Sequence, residues 1–404
     1  MKKRRFWIFV PTLALAGIMT LAVVISALLL GGGMRTTNPR VTSPAATTEP
    51  ATEAPPAPSI VRLMAVGDNL IHNSIYQQAQ KRAGGTGYDF RFAYDNVRDI
   101  LAQADLSVIN QETPVAGAIA PPASFPMFNS PVELGDEVYS LGFRAVNLSN
   151  NHMLDQWSKG VLASLDYWES KEGVVTSGAY RNEEDFKKTR LLEVNGITFG
   201  FVSATYGYNG LQLPAGSELI LPLLEDEDRI RAAVEAARAA ADVVVASMHW
   251  GNENSQTVIE AQRSLARKLA DWGADIILGT HPHVLQGMEW LERPAEQGGR
   301  VFVAYSLGNF ISAQSQPKQL IGGILDMEVT KDNQTGKITL ATPKFKPVIT
   351  QYGGGYSNLH VVPWTSYTPE LANSHGVRRE SSFSYEYCKN LLQETIPQEF
   401  LDLT

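Results

Sequence analysis

The chain has 404 residues, of which 44% are hydrophobic, enough to bury one large core or two moderate ones. Its formal net charge of -8 argues against nucleic acid as a partner, because phosphate binding requires a basic face. The single cysteine, Cys388, excludes an intramolecular disulfide.

The N-terminus has the pattern of a membrane anchor. Four basic residues at positions 2–5 precede residues 6–30, a stretch of 25 residues without a charge. As a helix it would extend about 37 Å at roughly 1.5 Å per residue, enough to span a bilayer. A cleavable signal peptide is the alternative, but its apolar core is usually only about 7–15 residues long. We therefore predict that residues 1–32 form a cytoplasmic basic flank and a single-pass signal anchor in the cell membrane, with the rest of the chain extracellular.

Residues 33–58 are rich in Thr, Pro and Ala and show no hydrophobic periodicity. Such a segment cannot bury enough apolar surface to offset the entropy lost on ordering. We predict a disordered linker that holds the following domain off the membrane.

Residues 59–404 alternate β-branched runs with amphipathic stretches, which predicts one α/β domain. The predicted strands are 60–66, 106–109, 145–148, 197–202, 243–246, 276–278 and 301–305, and the predicted helices are 93–104, 157–171, 225–240 and 256–272. Residues 322–330 and 337–346 predict a β-hairpin, so the sheets should be mixed. We expect two packed sheets between helical layers, with a C-terminal segment from about residue 348 wrapping onto them.

Polar side chains follow five of the predicted strands. These segments are 67–72, 110–114, 149–155, 247–253 and 279–286, and they contain five of the seven histidines. In α/β sheets, sites gather beyond the carboxyl ends of the strands. Pro282 biases His281 toward an extended conformation, in which His281 and His283 would project the same way. Neutral imidazole is the commonest metal ligand.

Each residue also has an ordinary structural interpretation. Asp68 could cap a helix, Glu112 could lie in a solvated loop, Asn151 could form a turn, and His249 could be a hydrogen-bonded core residue. The strand-end position would then have to be polar by coincidence five times. We therefore interpret these residues jointly as a metal-binding constellation, with His152 as a candidate general acid.

The set and order of these motifs resemble the CapA family of poly-γ-glutamate capsule synthesis proteins. The matching stretches are VGDNLIH (66–72), NQETPV (110–115), NLSNNHMLD (147–155), MHWGNE (248–253), GTHPHVLQ (279–286), YSLGNF (305–310) and YTPELANSHG (367–376). Together they extend over nearly all of the predicted extracellular part.

That family is similar to calcineurin-like metallophosphoesterases, which have a four-layer αββα sandwich and two metals at strand ends. The resemblance implies ligands for one or two divalent ions (Mn, Fe, Zn or Mg), with Asp68 and His283 on the first, Glu112 bridging, and Asn151, His249 and His281 on the second. It also implies that His152 protonates a leaving group, with Asp155 as the other member of the predicted catalytic pair.

Two positions depart from the metallophosphoesterase pattern. Leu70 stands where that pattern has a histidine, and His72 would reach the metal only through a bend. The bridging acid is Glu112 rather than an aspartate, so the first site is left open as weak, single or empty. We interpret residues 305–310 mainly as a buried strand closed by a turn at Gly308, with Asn309 as a candidate site residue.

Three functions are compatible with the sequence. The first is a membrane-anchored extracellular protein of capsule or poly-γ-glutamate synthesis and export, with other subunits of a capsule polymer synthase as partners. The second is a metal-dependent hydrolase whose substrate is a phosphoester or an anionic polymer with amide bonds. The third is a non-catalytic scaffold with a vestigial metal site.

Overall fold

The computed structural model describes residues 56–293 and 298–404. No helix in these two ranges is long and apolar enough to cross a membrane. The predicted anchor, and all of the predicted linker except residues 56–58, lie outside the described residues. Both therefore stay predictions.

Strands and helices alternate along the first two thirds of the described chain. The strands are β1 Ser59–Asn69, β2 Leu106–Asn110, β3 Phe143–Asn147, β4 Val175–Ser177, β5 Arg190–Val194, β6 Ile197–Thr205, β7 Val243–His249, β8 Ile276–Thr280, β9 Met288–Glu292, β10 Arg300–Ala304, β11 Asn309–Ile311, β12 Ile321–Lys331, β13 Ile338–Leu340, β14 Lys344–Gln351 and β15 His360–Pro363. The α-helices are α1 Asn73–Arg82, α2 Arg91–Leu101, α3 Val132–Ser140, α4 Trp157–Glu169, α5 Glu183–Phe186, α6 Glu227–Ala240, α7 Glu260–Trp272, α8 Pro369–Ser374 and α9 Tyr385–Thr395.

Two mixed sheets form the framework. The first has the strand order β15–β14–β12–β1–β2–β3–β4, with β11 paired to β1 and β13 paired to β12. In it β1 to β4 are parallel, whereas β12, β14 and β15 pair antiparallel. The second has the order β5–β6–β7–β8–β10–β9, with β5 and β9 as antiparallel edges of a parallel centre. The predicted α/β class with mixed sheets is confirmed.

The side chains of β7 show how the second sheet is packed. Every residue of this strand is buried, as expected for an interior parallel strand with a continuous apolar run. Val243 and Val245 join the core that also contains the strands of the first sheet. Val244 and Ala246 pack instead with α6 and α7. Because successive side chains point to opposite faces, the second sheet has the first sheet on one face and these helices on the other.

The start of α6 is fixed by a capping residue. The Asp226 side chain accepts a hydrogen bond from the Arg229 N–H at 3.2 Å, so the helix begins at Glu227, two residues after its predicted start. Its buried residues Ile230, Val234 and Ala237 follow the spacing of one helical face. That face forms the outer covering of the second sheet.

The C-terminal segment contacts both sheets. The Phe345 N–H in β14 donates to the Phe400 carbonyl at 2.7 Å, and the Phe400 ring lies 5.4 Å from the ring of Phe302 in β10. The single cysteine, Cys388, is buried in α9. The predicted wrapping segment, from about residue 348, begins inside β14 and therefore includes part of the first sheet.

Candidate functional site

The predicted site residues lie at or beyond the carboxyl ends of strands from both sheets. All of them are buried, and the ligand candidates divide equally: Asp68 in β1, Glu112 after β2 and Asn151 after β3 from the first sheet, and His249 in β7 with His281 and His283 after β8 from the second. The sequence therefore brings three candidate ligands from each sheet to the place where the two sheets meet.

Asp68, Glu112 and His283 form one candidate ligand group, in which one donor atom from each lies within 4.8 Å of the others. Asp68 Oδ2 is 3.1 Å from His283 Nδ1, and Asp68 Oδ1 accepts a hydrogen bond from Asn110 Nδ2 at 2.7 Å. Burial lowers the pKa of His283, but the Glu112 and Asp68 carboxylates outweigh it and raise that pKa to about 10. His283 therefore keeps its proton at neutral pH, beside Asp68 and Glu112, when no metal ion competes for its nitrogens.

The surroundings of Glu112 suit a cation bound by the Asp68, Glu112 and His283 group. Its side chain is fully buried, and neither carboxylate oxygen has a hydrogen-bond partner among the described residues. Glu112 Oε1 is 3.7 Å from His249 Nε2 and 3.6 Å from His283 Nε2, beyond normal hydrogen-bond length. Burial and the neighbouring Asp68 raise the pKa of Glu112 well above its usual range. A divalent cation would satisfy this buried carboxylate, so the residues present fit such an ion.

His249 and His281 are held in the form that binds metal. His249 Nε2 is 2.9 Å from Asn151 Oδ1, and His249 Nδ1 is 2.9 Å from Thr280 Oγ1. Burial and then the nearby His281 lower the pKa of His249 well below its usual range. Burial and then His283 lower the pKa of His281 to about 3. Both rings are therefore neutral, as metal ligation requires.

His281 has a free ligand atom and a close neighbour. Its Nδ1 is buried and has no hydrogen-bond partner within the described part of the chain. Its ring lies 4.8 Å from the ring of His249. An unpaired buried nitrogen next to a second imidazole is the arrangement expected of a ligand whose cation supplies the missing contact.

The backbone of the HPH segment differs from the prediction. His281 and His283 have φ values of 97° and 57°, so both are left-handed, and the expected extended conformation at His281 is wrong. The chain turns directly after β8 and is held there by a 2.8 Å hydrogen bond from the Asn254 N–H to the Pro282 carbonyl. The two rings are 6.1 Å apart with 57° between their planes, so they face different partners. Positive φ outside glycine is uncommon, and strain of this kind concentrates at functional sites.

His152 and Asp155 form a buried pair. His152 Nδ1 is 2.8 Å from Asp155 Oδ2, which also accepts from the Phe128 N–H at 2.6 Å. Burial raises the pKa of Asp155, while the hydrogen bond with His152 opposes the rise. The Phe128 ring packs edge-on against the imidazole, 4.7 Å away. The carboxylate directs the His152 Nδ1 proton and leaves Nε2 for proton exchange with a ligand.

Asn209 connects this pair to the ligand candidates. Its Oδ1 accepts a hydrogen bond from Asn151 Nδ2 at 3.1 Å, and its Nδ2 lies 3.4 Å from His152 Nδ1. The contact fixes which way the Asn151 amide faces, with its oxygen toward His249. The predicted catalytic pair and the predicted second ligand set are therefore contiguous.

Three residues of the site were not assigned by sequence reasoning: Tyr206, Asn209 and Glu253. The Tyr206 ring lies 4.3 Å from the His281 ring, and a Glu253 oxygen lies within 4.8 Å of donor atoms of His281 and His283. Tyr206 and Asn209 follow β6, so applying the strand-end rule to that strand would have pointed to them. Glu253 stands inside the quoted motif MHWGNE.

Leu70 lies at the position where the metallophosphoesterase pattern would have another ligand, and His72 is the histidine nearest to it along the chain. Leu70 is buried, and its N–H donates to the Ile311 carbonyl at 3.0 Å, so its side chain belongs to the core. His72 belongs to neither ligand group that the described residues form. Its Nδ1 accepts from the Ala313 N–H at 3.2 Å, and burial lowers its pKa to about 4.

Asn309 belongs to the site, while the strand predicted around it is displaced. Residues 305–310 are buried, but β11 begins at Asn309, after Gly308 with φ of 66°, so that turn opens a strand instead of closing one. Asn309 Oδ1 is 3.0 Å from His283 Nδ1. The amide thus orients the ring that also faces Asp68.

Two solved structures are similar to this chain at 12% sequence identity and a TM-score of 0.42. A phosphatase from Mycoplasma pneumoniae covers 72% of this chain and 95% of its own. A structure from Staphylococcus aureus, described as a 5′-nucleotidase in complex with α-ketoglutarate, covers 76% of this chain and 54% of its own. These values are too low to support an inference about function.

Sequence relatives are closer. PGA biosynthesis protein CapA of Bacillus subtilis (strain 168) is 30% identical over 210 residues, 49% of this chain and 50% of the relative. Capsule biosynthesis protein CapA of Bacillus anthracis is 33% identical over 204 residues, 49% of this chain and 47% of the relative. The chain thus aligns with about half the length of these relatives. Residues 62–314, which contain every predicted site residue, match the family of bacterial capsule synthesis proteins PGA_cap, and the chain belongs to that family.

Proposed function

We propose that the protein is a membrane-anchored extracellular component of capsule (poly-γ-glutamate) synthesis or export whose domain carries a divalent-metal centre. The observation that carries the proposal is Glu112, a fully buried carboxylate with no hydrogen-bond partner among the described residues, facing His249 and His283. Membership of the capsule synthesis family supports the pathway. We further propose that the two sheets and their helices form a four-layer αββα sandwich of the metallophosphoesterase type.

The proposed ligands fall into two sets that share one member. Asp68 and His283 would hold one ion, Asn151, His249 and His281 would hold a second, and Glu112 would contact both. A divalent ion, when bound, supplies Lewis-acid polarisation of a substrate oxygen. The acidic chain otherwise repels anions, so a cation in the cavity would also be the means of attracting an anionic polymer or phosphoester.

A second function, metal-dependent hydrolysis of a phosphoester or a polymer amide bond, is favoured by the His152–Asp155 pair. Asp155 Oδ2 holds the imidazole through Nδ1 at 2.8 Å, which leaves His152 Nε2 to protonate a leaving group. The edge-on Phe128 ring limits the motion of the imidazole. A scaffold with a vestigial site has no evident need for this buried pair.

Metal content tests the proposed centre, on which both functions depend. The full-length chain purified in detergent should bind Mn²⁺, measured by calorimetry and elemental analysis, and His281→Ala should bind less. His360→Ala is the matched control, because His360 lies at the start of β15 and is not one of the proposed ligands. A wild type that binds no divalent ion would refute the metal centre.

Hydrolysis is tested separately with p-nitrophenyl phosphate and poly-γ-glutamate in the presence of Mn²⁺. His152→Ala should reduce turnover and leave Mn²⁺ binding unchanged. Metal binding by the wild type without turnover of either compound would favour the scaffold over the hydrolase.

The anchor and partners need a cellular experiment. The full-length protein should stay with membranes after carbonate washing, and external protease should reach only residues beyond 33, as the basic N-terminal flank predicts. Crosslinking in intact cells should recover other subunits of the capsule polymer synthase. Release of a soluble form beginning near residue 31 would refute the anchor.

A further inference from the structure

We infer that Glu253 is a third carboxylate ligand of the proposed metal centre, supplying the donor that Leu70 lacks. This inference rests on the proposed function, since it concerns the same centre. It adds a residue that ends the strand-end segment 247–253 and to which the metallophosphoesterase pattern gives no role.

The first observation is proximity. One carboxylate oxygen of Glu253 and one ring nitrogen each of His281 and His283 lie within 4.8 Å of one another. His283 also belongs to the group with Asp68 and Glu112, so it joins Glu253 to the buried carboxylates. Because the two groups share His283, a cation held by one group would lie close to the ligand atoms of the other group.

The second observation is that His281 has a ring nitrogen free to bind a metal ion. This side chain is 3% exposed, and its Nδ1 has no hydrogen-bond partner among residues 56–293 and 298–404. A neutral imidazole beside a free carboxylate is a donor pair that divalent metals accept.

The third observation is that the backbone around Glu253 is tied to the HPH turn. Asn254 has a left-handed φ of 62°, and its N–H donates to the Pro282 carbonyl at 2.8 Å. The Asn254 carbonyl and side chain accept from the side chains of Lys318 and Gln319. Glu253 is thus held beside the two histidines by its neighbour and not by its own side chain.

The number of donors leaves room for the addition. The buried group offers three protein donors, Asp68, Glu112 and His283, and the apolar Leu70 adds none, whereas divalent ions take four or more donors, the remainder from further side chains or water. Glu253 is exposed, so its charged carboxylate loses far less hydration free energy than the buried carboxylate of Glu112 does. It can complete the donor set at the solvent side without a further buried charge.

The test is Mn²⁺ binding by the full-length chain in detergent, followed by calorimetry and native mass spectrometry. Glu253→Gln should bind one Mn²⁺ at least about tenfold more weakly than the wild type, since even indirect partners of a metal contribute about 10–100-fold. Glu253→Asp, which keeps a carboxylate, should recover part of that loss. Glu260→Gln, which removes an exposed acid at the start of α7, should match the wild type.

The outcomes separate this inference from the proposed function. If the wild type binds Mn²⁺ and Glu253→Gln binds it equally well, Glu253 is a solvated loop acid and the inference fails alone. If the wild type binds no Mn²⁺, the proposed centre itself fails. Equal thermal unfolding temperatures of Glu253→Gln and wild type in EDTA show that a loss of binding does not come from misfolding.

Discussion

Glu112→Gln should stabilise the metal-free protein and abolish its stabilisation by a divalent ion. Burial and Asp68 raise the pKa of Glu112 well above its usual range, so ionising it costs more in the folded than in the unfolded chain. Glutamine has nearly the same shape without the charge, and its amide N–H can donate to Asp68. An unsatisfied buried polar group costs about 1–3 kcal/mol, so we expect the free energy of unfolding in EDTA to rise by about that amount.

The pH dependence of this effect follows from the direction of the shift. Below the unfolded-state pKa of 4.5, Glu112 is protonated in both states, and variant and wild type should be equally stable. As pH rises toward the raised folded-state pKa, the wild type loses stability relative to the variant by at most about 1.36 kcal/mol per unit. Above the folded-state pKa the difference is constant.

Denaturant unfolding of the full-length protein, in EDTA and in Mn²⁺ at pH values of about 4.5 and 8, measures both effects. Mn²⁺ at 100 times its Kd should stabilise the wild type by about 2.7 kcal/mol and the variant much less. Glu260→Gln controls for the loss of one negative charge. A variant less stable than wild type in EDTA near pH 8, or one with an undiminished Mn²⁺ response, would refute the reasoning.

Three further predictions concern the same site. Asp155→Asn should lower any Mn²⁺-dependent hydrolysis of p-nitrophenyl phosphate by about 10²–10⁴-fold, because His152 loses the carboxylate that directs its Nδ1 proton. Mn²⁺ binding measured by calorimetry should stay the same. An equal loss of binding would contradict the proposed division of roles between ligands and catalytic pair. Asn209→Ala should weaken Mn²⁺ binding by about tenfold, because Asn151 Nδ2 loses its acceptor, and Asn209→Asp, which keeps an acceptor, should bind like the wild type. Mn²⁺ affinity should increase with pH by up to about tenfold per unit between about pH 6 and 9, since the pKa of His283 is about 10 and ligation releases its proton; a flat titration would argue against His283 as a ligand.

The sequence predicted the site where a continuous apolar run ends in a polar residue. β7 is the clearest case, because its Val-rich run can only be an interior strand and His249 is its last residue. Once β7 and β8 are neighbours, His249 and His281 must lie close together. The same reasoning predicted the positions of Asp68 and Glu112.

Elements whose form depends on partners distant in the sequence were not predicted. β5 alternates half-buried and exposed residues, and its pairing with β6 alone decides that it is a strand. The left-handed turn at His281 is held by a hydrogen bond that the Asn254 N–H donates to the Pro282 carbonyl, a contact that no local pattern contains. Tyr206 and Asn209 follow β6, where the strand-end rule would have placed candidates, but their particular contacts with His281 and Asn151 depend on the path of a loop and not on a local pattern.

The division of donors between the sheets has a consequence for how the domain opens. Neither sheet holds a full set, so an ion bound by Asp68, Glu112 and His283 would connect strand ends that otherwise meet through packing, hydrogen bonds and the ion pair of Asp68 with His283. Such an ion would crosslink the two sheets, and local opening between them would have to break its bonds to the ligands. Amide hydrogens at the ends of β1 and β8 should then exchange with solvent more slowly as the concentration of the divalent ion rises, which makes the local stability of the domain depend on the ion supply.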